Sequence, residues 1–144
     1  MKFTDLGRFL RGRREPAKGQ DLAKLYAQFE DREAIYVEDA MVVPVRIHNI
    51  SFDRRGIAAQ ATALPIPGLS DYSRSWTVQA NWDYFRFDDV YWYGKYTSWR
   101  LWFDQETIDH VTGLYAQQSE ETPLLERWQA VRSELRKLDQ ANRR

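Results

Sequence analysis

Between Tyr72 and Phe103 the chain places 13 of its 21 aromatic side chains, including five of its six tryptophans. Within that stretch Ser75–Ala80 and Tyr96–Phe103 alternate large and polar residues with period two, the spacing of a strand with two different faces. Aromatics favour pleated, half-buried surfaces and bury more area per residue than other side chains. The stretch therefore predicts an aromatic-packed antiparallel sheet at the centre of the fold.

The preceding residues extend that sheet. Ile35-Tyr36-Val37 reads as a short strand, and Val43, Val45 and Ile47 alternate with Pro44, Arg46 and His48. Pro44 has no N–H for a ladder, so its strand is expected at an edge or bulged there. Asp53-Arg54-Arg55-Gly56 has the residues of a type I turn closed by a left-handed glycine. It predicts an antiparallel hairpin of Met41–Phe52 with Ile57–Leu64, stopped by Pro65-Ile66-Pro67-Gly68. Asn81 to Tyr93 fits a hairpin or a folded loop equally well, and Gly94-Lys95 suits a two-residue turn. On the last strand Thr97, Trp99, Leu101 and Phe103 share one face, opposite Tyr96, Ser98, Arg100 and Trp102.

Three segments change to helical spacing. Leu22, Leu25, Tyr26 and Phe29 form an apolar stripe over Gln20–Asp31. Asp104 is a natural N-cap, with Phe103 and Ile108 at the hydrophobic-staple positions, for a helix reaching Gln117 that Gly113 weakens. Thr122 and Pro123 open a last helix, whose Leu124, Trp128, Val131, Leu135 and Leu138 form a short a/d seam. That seam suits packing on the helix before it or on the sheet, and also allows a homodimer. The expected fold is α+β: a bent antiparallel sheet or small β-barrel of five to six strands, with one N-terminal and two C-terminal flanking helices. A single domain over 1–144 is expected, with a basic arm or short helix at 1–18, a sheet-containing body at 19–120 and an amphipathic helix at 121–144.

Composition narrows the chemistry. At 144 residues and 43% hydrophobic, the chain can bury one core. Zero cysteines exclude disulfides, thiolate metal sites and a cysteine nucleophile. No apolar run approaches the ~20 residues of a membrane span. Residues 1–14 lack the apolar core of a secretory signal, so the cytoplasm is the expected compartment. The net charge of zero conceals +4 over residues 1–18, +3 over 124–144 and −7 between them. A negative body repels a polyanion, which confines nucleic-acid contacts to the two termini.

Few residues suggest catalysis. His48 lies on the polar face of a strand and reads as a solvated side chain. Glu106, Asp109 and His110 fall at i, i+3 and i+4 of one helix, a spacing able to share a metal. The same carboxylates suit the positive end of that helix, and no second Glu/His pair completes a site, so no metal or cofactor is expected. Asp83, Asp88 and Asp89 stand among aromatics as in sugar-cleaving sites, and equally as turn residues. P-loop, Gly-x-Gly-x-x-Gly, Gly-x-Ser-x-Gly and His-Glu-x-x-His motifs are absent.

Asn49-Ile50-Ser51 with Gly56 resembles the Asn/Asp-x-Ser-x-x-Gly element of cyclic-dinucleotide-binding PilZ barrels. Four residues separate Ser51 from Gly56 where that element has two, and the N-terminal arm lacks the companion Arg-x-x-x-Arg. These residues are read as hairpin chemistry, with no family claimed.

The expectation is a non-catalytic protein-interaction or assembly module. It would use an aromatic sheet face with Trp82, Trp92, Tyr93, Tyr96 and Trp102, together with the C-terminal helix. The alternatives are a nucleic-acid-associated protein gripping phosphates with its basic ends, and a small hydrolase acting through Asp83, Asp88 or Asp89.

Overall fold

The computed structural model describes residues 27–39, 41–68, 74–82, 85–87, 91–94 and 98–142. Seven strands form one antiparallel sheet: β1 (Glu33–Glu38), β2 (Met41–Phe52), β3 (Gly56–Ala63), β4 (Ser75–Asn81), β5 (Phe85–Phe87), β6 (Tyr91–Gly94) and β7 (Trp99–Trp102). Their order is β4-β3-β2-β1-β7-β6-β5. Two helices follow, α1 (Gln105–Gln117) and α2 (Leu124–Asn142). The fold is thus α+β, with an open sheet. The stretch left undecided between Asn81 and Tyr93 contains a hairpin, β5 pairing with β6 so that Phe87 faces Trp92. The N-terminal helix is described only at its end, residues 27–29, and the rest of its apolar stripe lies outside the described residues.

The sheet is bent, and two rings measure the bend. Tyr36 of β1 and Trp76 of β4 meet edge to face at 4.9 Å between ring centroids, although β2 and β3 lie between their strands. Three strand spacings in a flat sheet would hold them roughly 14 Å apart. Room for the curl comes from β3, whose inward residues after Ile57 are Ala59, Ala61 and Ala63. Small side chains there let the large rings of β1 and β4 close over them.

Period two then sorts the residues into two apolar clusters. The concave cluster holds Tyr36, Val43, Val45, Ile47, Trp92, Leu101 and Phe103, plugged by Phe29. Phe29 meets Trp92 and Phe103 at 4.7 Å each. The convex cluster takes the alternate residues Ile35 and Val42, and is covered by Ile108, Val111 and Tyr115 of α1 and Val131 of α2. Trp128 touches both clusters. Four residues of the a/d seam of α2, Leu124, Trp128, Val131 and Leu135, are therefore spent on the body of the molecule.

Two local expectations are corrected, at Pro44 and at Gly56. Pro44 sits in an interior strand, opposite Ile35. Its carbonyl accepts from Leu64 N at 2.9 Å, so its ring nitrogen faces β3 just where that strand has ended, and no ladder bond is lost. The bulge lies further on, between His48 and Ser51. There Asn49 has φ 54°, and the Glu30 carboxylate accepts from the Asn49 and Ile50 N–H groups at 2.7 and 3.1 Å. Gly56 is not left-handed; a Cβ there would lie 1.9 Å from the Ala80 carbonyl oxygen, so the close approach of β4 demands it. The turn itself is held by Asp53, whose carboxylate accepts from Arg55 N and Gly56 N.

The helices differ in smaller ways. Asp104 caps α1 as expected, accepting from Thr107 N at 3.0 Å and its hydroxyl at 2.7 Å. Phe103 and Ile108 enter opposite clusters rather than forming a staple. The last helix begins at Leu124, one residue later than expected, with Arg127 N donating to Pro123 O at 3.1 Å. Its anchor is Arg127, only 1% exposed. That guanidinium donates to Gln118 Oε1 at 2.8 Å and Pro67 O at 2.7 Å. It lies 5.8 Å from the Tyr115 ring centroid, joining the turn after β3 to the end of α1. Among the described residues no helix is long and apolar enough to cross a membrane.

Candidate functional site

The expected aromatic face divides between the two sides of the sheet, and register decides which residue goes where. β6 and β7 pair Trp92 with Leu101 and Tyr93 with Arg100. Trp92 and Leu101 point into the concave cluster, where Trp92 is 1% exposed. Tyr93 and Arg100 occupy the opposite, convex side and are both half-buried. The Arg100 guanidinium carbon lies 5.3 Å from the centroid of the Tyr93 ring, a cation–π distance, while its Nη1 donates to Trp99 O at 2.7 Å. Trp102 shares that side, opposite Ile35 of β1, and packs half-buried against the convex cluster.

Of the five aromatics expected to bind, Tyr93 and Trp102 thus lie together on the convex face. Trp82 and Trp92 lie in the concave core. Trp82 is 2% exposed, donates its indole N–H to Asp53 O at 2.7 Å and stacks on Phe52 at 6.0 Å. It locks the β2–β3 turn. Tyr96 lies outside the described residues.

The other candidates for chemistry are dispersed. His48 is half-buried, its Nε2 bonded to Thr62 Oγ1 at 2.7 Å, and Thr62 bonds in turn to Ser75 Oγ at 2.8 Å. This ladder crosses β2, β3 and β4 on their solvent side. Glu106, Asp109 and His110 are exposed on α1, with Asp109 accepting from Gln105 Nε2 at 2.8 Å. Asp83, Asp88 and Asp89 lie outside the described residues, as do the basic residues 1–18. Tyr36 has a displaced phenol: burial, reinforced by the Glu38 carboxylate to which its hydroxyl donates, pushes its pKa well above the usual value.

Sequence reasoning did not single out Arg100, because a lone arginine on a strand reads as solvated. Its signal was its place on the same face as Trp102, two residues away. Comparison of the chain with protein-family models, curated proteins and solved structures finds no match.

Proposed function

We propose that this protein is a non-catalytic interaction or assembly module whose contact surface is the convex face of β6 and β7. The observation that carries this reading is Tyr93, Arg100 and Trp102 standing half-buried on one side of two paired strands. Tyrosine, tryptophan and arginine are the residue types that dominate binding hot spots: the two aromatics offer large area with few rotamers to freeze, and the planar guanidinium stacks and donates in several directions. Trp92 supports that surface from beneath, wedged between Phe29 and Phe103, so the strands present a rigid platform. The C-terminal helix contributes its outward side, where Leu125 is 53% exposed, because its apolar seam is already engaged.

Photo-crosslinking inside cells tests the reading. A benzoylphenylalanine in place of Tyr93 is expected to give a discrete adduct that disappears when Trp102→Ala is added. The same probe replacing Gln79, on the solvent side of β4, should give none. Equal adducts at both positions, or none at Tyr93, would contradict the proposal.

A further inference from the structure

The outward side of α2 carries a second, independent feature. Gln129, Arg132, Ser133 and Arg136 recur at i, i+3, i+4 and i+7, so they form one stripe along the helix. Trp128, Val131 and Leu135 fix the rotation of α2 from behind. The stripe therefore faces Asp39, which the β1–β2 connection holds at φ 49°. Together these five residues line an open cleft of about 430 Å³.

The charges in this cleft are unsettled. Arg132 Nη1 is closed off from solvent and has no hydrogen-bond partner. Among the described residues, Arg132, Arg136 and Asp39 enter no ion pair, whereas Lys137 on the same helix pairs with Glu134 at 3.1 Å. Desolvation, and then the like charge of Arg136, lowers the pKa of Arg132, with Asp39 opposing. Two guanidiniums one helical turn apart repel unless an anion lies between them.

We propose that this cleft binds a phosphate group, held by Arg132 and Arg136. Guanidinium donors match the several acceptor oxygens of a phosphate, and the Ser133 hydroxyl and Gln129 amide add neutral donors around it. Asp39 opposes the phosphate charge itself and supplies an acceptor that suits a hydroxyl on the ester portion of the ligand. The cleft has room for that portion as well as the phosphate.

Calorimetric titration of the full chain with inorganic phosphate, and separately with glycerol phosphate, tests the site at constant ionic strength. One saturable site is expected for both, tighter for the ester. Losing one charged contact should weaken it about tenfold in Arg132→Gln and in Arg136→Gln. Asp39→Asn should tighten inorganic phosphate, because it removes the opposing charge. Lys137→Gln, outside the cleft, should change little. Circular dichroism checks each fold, and Arg136→Gln, at an exposed position, keeps the test alive should Arg132→Gln fail to fold. No saturable binding, or equal weakening by Lys137→Gln and the two arginine variants, would overturn the proposal.

Discussion

Single side chains in this molecule are decided by what they meet, and the two most informative are a buried arginine and a buried tyrosine. Arg127 is held by side-chain and backbone acceptors rather than by a carboxylate. Hydrogen bonds from a charged donor contribute about 1.5–3 kcal/mol each, so Arg127→Met should cost about 3 kcal/mol in urea unfolding. Arg127→Lys should recover little of it, because an ammonium cannot reach Gln118 and Pro67 as a planar fork does. Tyr36 tests the electrostatics. Its phenol titrates higher in the folded chain than in the unfolded one, so the stabilising difference is complete below about pH 10, the unfolded value, and is lost as pH rises beyond it. The urea midpoint should fall more steeply above pH 10 in the native chain than in Tyr36→Phe; parallel curves would contradict this.

Glycines show how an element reads its neighbours. A Cβ at Gly56 strikes the backbone of β4, while one at Gly113 meets nothing within 4 Å. Gly56→Ala should therefore destabilise by at least ~2 kcal/mol, and Gly113→Ala should stabilise by up to ~1 kcal/mol, both measured by thermal unfolding. At the β2 bulge, Glu30→Ala would leave two backbone N–H groups without their carboxylate. Faster hydrogen exchange at Asn49 and Ile50 is expected, with a loss of about 1–3 kcal/mol. Helix and strand identity was legible in the sequence because period two and period 3.6 are local signals, and β1, β2, β4 and α1 followed them closely. Pro44 misled because a proline's cost depends on where the partner strand ends, which is a tertiary fact. Gly56 was placed for the wrong reason in the same way, since its constraint comes from Ala80 of β4, 24 residues away in sequence.

Across the whole molecule the aromatic stretch does two jobs. Alternation put Trp99, Leu101 and Phe103 on one side and Arg100 and Trp102 on the other, as the sequence indicated. Alternation alone could not tell which side helices would cover, because that depends on α1 and α2 crossing β1 and β2. The sheet's curl, carried by three alanines of β3, encloses Trp82 and Trp92 and leaves Tyr93, Arg100 and Trp102 at the opposite face. The a/d seam was equally visible, but only the packing shows that it serves the body of the protein. The aromatics are thus divided between a closed core and one half-open face. Acrylamide quenching of tryptophan fluorescence, in the native chain and in Trp102→Phe, measures that division most directly. Blue-shifted emission with weak quenching is expected, and Trp102→Phe should remove a substantial part of the quenchable signal. Red-shifted emission with strong quenching that survives Trp102→Phe would mean that the concave core is open, and would contradict the fold and the proposed surface together.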